Sequence, residues 1–338
     1  MLNSTTIETI LKTLPGKTVA VLGDLFLDRY LDLDGSLTEP SLETGLPAYQ
    51  VVRVRSLPGA AGTIVNNLAA LGVGRILPVS VIGDDGEGYE LRQALAAIPA
   101  VDTSGVLLRA DRRTPTYCKP MLTNADGAAV ELNRIDTRNR TRTPDGAIDA
   151  ILREFGRIWP TCDAVIVLDQ VSEADCGVVS SRVRDVLAKF SRLNPTRFIL
   201  ADSRENVHRF EGVAIKPNAR ELCRTGESPL EALTRLAAGR NRPIFATQGE
   251  DGILLSVPGS DEIVRVEGFA VSGPVDIVGA GDSCSAGIAC AKVCGLSDAD
   301  AAAFGCLVAS ITIRQLGATG SASPAQVREA FALHASGR

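Results

Sequence analysis

Short apolar runs, rich in β-branched residues and free of charge, alternate with stretches of helical periodicity along most of this chain, and nothing else in the sequence restricts the fold as tightly. From about residue 144 the alternation is strict. A helix near Asp145–Arg157 precedes a strand at Ala164–Leu168, and a helix at Val178–Phe190 precedes strands at Phe198–Ala201 and Val213–Lys216. After Ala219–Arg224 and a helix at Pro229–Ala238 come strands at Pro243–Thr247, Gly252–Val257 and Glu262–Val266. Two helices, about Gly281–Val293 and Asp298–Gln315, and a terminal one at Pro324–Leu333 complete the pattern. Uninterrupted apolar strands are buried on both faces, so their alternation with helices predicts an α/β fold with a doubly wound, largely parallel sheet. Ligands of such sheets sit beyond the carboxyl ends of the strands. Asp24, Asp28, Asp84, Asp169, Asp202, Asn218, Thr247 and Asp282 fall there.

The first third reads differently. Thr18–Leu22 has the profile of a buried first strand, but LDLDGSLTEP and Tyr49–Val54 alternate at period two, as strands wet on one face do. Pro58–Gly62 reads as a Gly/Ala-rich turn before a helix at Ile64–Leu71, and Arg75–Ile82 as the next buried strand. Residues 106–134 look extended at Val106–Leu108, Thr116–Thr123 and Ala128–Arg134, with Ala125-Asp126-Gly127 as a turn. The expectation is one domain over 1–338, with a small sheet from about 29–55 and 106–134 projecting from the α/β core.

A net charge of −5 and the lack of any basic run argue against nucleic-acid binding, and 4% aromatic residues leave little for base stacking. No basic start followed by an apolar signal core is present, and the longest apolar run, Ala301–Ile313, is too short to span a bilayer. A cytoplasmic protein with no membrane partner is expected, its eight cysteines reduced and packed as thiols. Gly-x-x-x-x-Gly-Lys-Ser/Thr is absent, and Gly279-Ala-Gly281 has Cys284 where a dinucleotide fingerprint has its third glycine.

The chemistry-bearing stretch is VDIVGAGDSCSAGIA, Val275–Ala289. Gly279, Ala280 and Gly281 place three amides at a helix N-terminus, where an anion is favoured. Asp282 follows at once. A carboxylate beside a phosphate site is useful as a general base on an attacking hydroxyl, while the amides steady the transferred group. A helix N-cap is the alternative reading of Asp282. In KPNARELC, Asn218 and Glu221 stand three apart after a strand; they suit a hydrated Mg2+ bridging phosphates, or equally a capping box.

VDIVGAGDSCSAG resembles the C-terminal signature of the ribokinase-like, PfkB-type carbohydrate kinases. KPNARE resembles that family's Asn-x-x-Glu segment, ATQGEDG its nucleotide-side strand and turn, and VIGDDGEG its Val-Gly-x-Asp-x-x-Gly segment, all in family order over about Thr18–Phe331. Within the family, GDLFLDRY, PSLETGLPAYQVVRV and NRIDT look most like the heptose-phosphate kinase branch. The bifunctional members of that branch carry a nucleotidyl-transferring domain, and with no His-x-Gly-His here the kinase half alone is expected.

The resemblance implies a three-layer α/β/α ribokinase-like core with the small sheet as a lid, and ATP- and Mg2+-dependent phosphorylation of a sugar or sugar phosphate. It makes Asp282 the base and Gly279, Ala280 and Gly281 the anion hole. Asn218 and Glu221 would lie near Mg2+ and the triphosphate, and Thr247 and Gly249 would line the nucleotide site. Asp28, Asp24, Gly59 and Thr63 would form the sugar side, with Lys119 and Arg134 near the lid as partners of a substrate phosphate. The segment beginning at Asp276 would take a monovalent cation such as K+, and the lid sheet would form a homodimer. Two departures stand out. Ala60 and Thr63 replace a glycine and an asparagine of the sugar-binding turn, and Ile277 and Val278 replace two threonines before the anion hole. The eroded turn motivates an alternative: a non-catalytic sugar- or nucleotide-binding regulatory protein that kept the fold.

Overall fold

The structure is a computed structural model describing residues 2–123, 127, 129–317 and 319–336. Ala125 and Asp126 of the expected turn lie outside the described residues. The elements in chain order are α1 (Ser4–Thr13), β1 (Thr18–Gly23), β2 (Leu25–Pro40), β3 (Pro47–Ala60), α2 (Ala61–Ala70), β4 (Arg75–Gly83), α3 (Gly86–Ala96) and β5 (Val106–Arg109). Then come β6 (Thr116–Thr123), β7 (Ala129–Glu131), β8 (Ile135–Thr137), α4 (Asp145–Ile158), β9 (Ala164–Asp169), α5 (Ser181–Leu193), β10 (Phe198–Ser203) and β11 (Ala214–Ile215). The chain finishes with α6 (Ala219–Leu222), α7 (Pro229–Ala237), β12 (Ile244–Thr247), β13 (Ile253–Ser256), β14 (Ile263–Val266), α8 (Ala280–Val293), α9 (Asp298–Thr312) and α10 (Pro324–Ser336).

The large sheet has the order β14-β13-β12-β11-β10-β9-β1-β4-β5. Pairing is parallel from β5 across to β12, and β13 and β14 are antiparallel. Alternate residues of its central strands feed two separate cores. Val19 and Val21 of β1 and Ile166 and Leu168 of β9 pack with α1, α2, α8 and α9. Ala20, Leu22, Val165 and Val167 pack with α4, α5 and α7. Burying each Val, Leu or Ile on either face stabilises by roughly 1.5–3 kcal/mol, which is why these strands are mostly apolar. This is the three-layer arrangement the alternation predicts.

The small sheet runs β3-β2-β6-β7, with β8 also on β6. β2 and β3 are antiparallel, and β2 lies parallel to β6 with Asp28 opposite Tyr117 and Tyr30 opposite Lys119. Val106–Leu108 does not join it, contrary to expectation. As β5 it pairs in parallel with β4 at the edge of the large sheet, where Val106 is buried. A three-residue apolar run cannot say which sheet will bury it. The expected turn at Pro58–Gly62 is also absent: β3 runs to Ala60 and α2 begins at Ala61. The chain changes direction through Ala60 alone, at φ 53° and ψ −118°. Among the described residues no helix is long and apolar enough to cross a membrane.

Candidate active site

Val275–Val278 forms no strand; it is a loop leading to α8, with Ile277 74% and Val278 59% exposed. Gly279 is the N-cap of α8, at φ 78°. A Cβ there would meet the γ-methyl of Thr319 at 2.4 Å and that of Thr63 at 3.2 Å, so both conformation and space exclude a side chain. The first turn of a helix leaves donors without intrahelical acceptors. One of the three expected anion-hole amides is already spent, because Ala280 N–H donates to the Ile277 carbonyl at 3.1 Å. Those of Gly279, Gly281 and Asp282 have no acceptor among the described residues. Asp282 lies in the first turn and is not the cap, since Gly279 holds that position with no side-chain bond.

Asp282 is half-buried. Burial pushes its carboxyl up to about 7, the negative charge of Asp202 adds to this, Lys216 and Arg204 oppose it, and Asp28 adds a little more. Asp202 and Lys216 close neighbouring parallel strands in register, Ala201 standing opposite Ile215. They form a buried ion pair at 2.8 Å, and Ser285 Oγ donates to the same Asp202 oxygen at 3.0 Å. Lys216 Nζ lies 3.5 Å from where a Cβ on Gly281 would stand. Sequence reasoning did not select this pair. Its signal was present: an Asp and a Lys, each directly following a wholly apolar strand.

Asn218 and Glu221 make a capping box. Asn218 Oδ1 accepts the Glu221 N–H at 3.0 Å, Glu221 Oε2 accepts the Asn218 N–H at 2.9 Å, and Asn218 Nδ2 donates to Glu221 Oε1 at 2.7 Å. Burial and then the Asp202 charge raise the Glu221 carboxyl to about 7. Thr247 lies alongside, its N–H donating to the Pro217 carbonyl at 2.9 Å and a bridge joining it to Asn218. Gly249 follows at φ 63°. Asp276 accepts the Val278 N–H at 3.0 Å while its own N–H donates to Ile313. Among the described residues no three His, Cys, Asp or Glu side chains form a metal-holding group.

The sugar-side residues separate into two sets. Asp28 is buried, 3.5 Å from Lys119 Nζ, and its carboxylate covers Gly59 so closely that a Cβ there would come within 2.7 Å of Oδ2. Burial raises the Asp28 carboxyl, and Lys119 and Arg134 oppose the rise. Thr63, buried on α2, reaches Gly279, and Asp28 contributes to the field at Asp282. Asp28, Gly59, Thr63 and Asp282 are therefore brought together. Asp24 is committed elsewhere. Its carboxylate accepts N–H bonds from Gln170 at 2.9 Å, Val171 at 3.3 Å and Val178 at 2.6 Å, holding the segment after β9 to β1. Arg134 sits further out, chelated by Asp136 at 2.7 and 3.0 Å and 4.1 Å over the Tyr117 ring. A small cavity of about 30 Å³ lies beside Phe26, Arg112, Tyr117, Gln170 and Glu173, adjoining Asp24 and not Asp282.

Residues 211–326 match the model of the pfkB family carbohydrate kinase. The chain is 30% identical over 322 residues to the bifunctional protein HldE of Caulobacter sp. (strain K31), covering 92% of this chain and 62% of that protein. It is 31% identical over 324 residues to the bifunctional protein HldE of Geobacter metallireducens, covering 91% and 61%. The chain thus spans less than two thirds of the length of either relative. Arabidopsis thaliana ribokinase, solved with ribose and ATP, superposes with a TM-score of 0.65 at 18% identity over 93% of this chain and 98% of that one. The order of its motifs, the family match and the shared fold agree: the chain has a ribokinase-like fold, and its residues 211–326 match the pfkB family of carbohydrate kinases.

Proposed function

We propose that this chain transfers the γ-phosphoryl group of ATP to a hydroxyl of a sugar or sugar phosphate, with Asp282 as the general base. The observation that carries the reading is a carboxyl raised to about 7 in the first turn of α8, beside amides that have no other acceptor. A base is most effective when its pKa lies near the working pH. Asp282 would take the hydroxyl proton as the oxygen attacks phosphorus, and the amides of Gly279, Gly281 and Asp282 would hold the transferred phosphoryl oxygens. Asp28 would accept hydrogen bonds from acceptor hydroxyls, with Gly59 leaving it room. Thr63 would line the acceptor side, and Thr247 and Gly249 the nucleotide. Mg2+ would be held largely through water by Glu221 and Asn218 and directly by the phosphates, which suits a site with no protein cage among the described residues; bound there, it would neutralise phosphate charge. K+ near Asp276 belongs to the same proposal.

A heptose phosphate is the finer proposal for the acceptor. Arg134 and Arg138 share the single carboxylate of Asp136, leaving excess positive charge beside Tyr117 that suits a substrate phosphate. Lys119 is removed from that role because Asp28 already pairs with it. A homodimer through the small sheet is supported by apolar residues bare on both faces of β3, Val51 46% and Val52 59% exposed, and by exposed Ile135 on β8. Eight free thiols accord with the proposed cytoplasmic location. The test is ADP release with MgATP over sugars, sugar phosphates and nucleosides. Turnover with a heptose 7-phosphate above the neutral sugars is expected. No turnover with any member, together with thermal stabilisation by one of them, would overturn the kinase reading in favour of a binding protein.

A further inference from the structure

Lys119 is an unusual lysine. It is 8% exposed, its Nζ lies 3.5 Å from Asp28 Oδ1 and donates to Tyr30 Oη at 3.2 Å, and the same Nζ stands 4.7 Å from the centre of the Tyr30 ring. The same ring carries a second cation, from the strand on the other side of β2. Arg55 lies 4.5 Å from the ring centre and is itself chelated by Asp32 at 2.8–3.2 Å. The series Asp28, Lys119, Tyr30, Arg55, Asp32 therefore crosses three strands, β6, β2 and β3, with each cation set on an aromatic face and on a carboxylate. Its geometry follows from register: Tyr30 pairs with Lys119 on one side of β2 and with Arg55 on the other. A lysine so placed is not available to a ligand, because leaving Asp28 would strand a buried carboxylate.

We propose that Lys119 is the positioning counter-ion of Asp28, holding its carboxylate ionised and aimed at the acceptor, and that Tyr30 positions Lys119. The inference rests on the reading of Asp28 as an acceptor ligand. Its logic is electrostatic. An ionised carboxylate accepts hydrogen bonds from two sugar hydroxyls, whereas a protonated one offers one oxygen fewer as an acceptor. Burial opposes the ionised form, and Glu131 of β7 and Asp282 of α8 repel it. Lys119, and more weakly Arg134, are the cations that oppose this. Within 4–6 Å an opposite charge lowers a carboxyl by about 1–3 units, so the ion pair outweighs the more distant charges. The Tyr30 hydroxyl acts on Lys119, through the 3.2 Å bond, and not on Asp28 directly.

The experiment is a carboxyl 13C NMR titration of Asp-labelled protein, with the Asp28 signal assigned by its loss in Asp28→Asn. It needs no acceptor. In Lys119→Met the Asp28 midpoint is expected to rise by about one unit or more, and in Tyr30→Phe, which keeps the ring and loses the 3.2 Å bond, to rise less. Lys119→Arg, which restores a cation, should return it toward the wild-type value. An Asp28 midpoint unchanged in Lys119→Met, with the variant folded by its amide spectrum, overturns the inference. The underlying reading fails separately. If Asp28→Asn leaves KM for a heptose 7-phosphate unchanged, Asp28 is not an acceptor ligand, whatever the titration shows.

Discussion

The two sides of the proposed site are built on opposite principles. On the proposed acceptor side the buried charges already have partners: Asp28 has Lys119, Lys119 has Tyr30, and Gly59 is shaped to the Asp28 carboxylate. On the phosphoryl side the helix begins on a left-handed glycine with no cap, three amides lack acceptors among the described residues, and Asp282 and Glu221 are both raised to about 7. One side is complete in the absence of substrate. The other is electrostatically unfinished, and an anion bound there would satisfy its donors. The difference teaches where each kind of substitution should be felt: as altered affinity on the first side, as lost rate on the second.

The largest expected effect is on the unfinished side. Gly279→Ala forces a methyl into Thr319 and a residue other than glycine into φ 78°, so activity should fall to background and the melting temperature should drop with it. A variant with normal turnover would break the view that this turn is fixed by its neighbours. Next comes Asp28→Asn. It should raise acceptor KM about ten- to a hundredfold, as loss of a charged hydrogen-bond partner does, with ATP affinity unchanged; steady-state kinetics against both substrates separate the two. A matching loss in ATP affinity would erase the contrast. The smallest effect is at the hinge between the two. Ala60 occupies a conformation that favours glycine, so Ala60→Gly should stabilise the fold by about 1 kcal/mol in a denaturant titration. No gain would mean that packing of the Ala60 methyl against the core offsets the strain.

The order of strands and helices was legible because the strands of the large sheet bury mostly apolar residues on both faces, so they announce themselves locally. The motif around Asp282 was legible because its first glycine, Gly279, is required by local geometry. What failed to show were contacts made by register across distant segments. Asp28 and Lys119 are neighbours because β2 and β6 lie parallel, and no local pattern encodes that pairing. Asp24 resembled Asp28 in sequence, both following apolar residues, yet it is consumed by three backbone donors more than a hundred residues away. Val106–Arg109 was too short to reveal which sheet buries it. Asn218 and Glu221 show the opposite limit. The spacing that predicts a capping box is the spacing that predicts a phosphate-side pair, and the capping box observed leaves the same two residues facing the Asp202 charge.

Raised carboxyls tie function to stability. Asp282 holds its proton in the folded chain well above the usual carboxylate range, so the folded state binds more protons than the unfolded one between about pH 4 and pH 7, and stability declines across that window as pH rises. Asp282→Asn, which cannot ionise, should therefore melt higher than wild type at pH 8. That gives the decisive measurement its own folding control. Single-turnover phosphoryl transfer by Asp282→Asn at pH 8, with MgATP affinity measured alongside, should be slower than wild type by about a hundredfold or more at unchanged nucleotide affinity. Transfer at a rate near that of wild type would show that Asp282 is not the base.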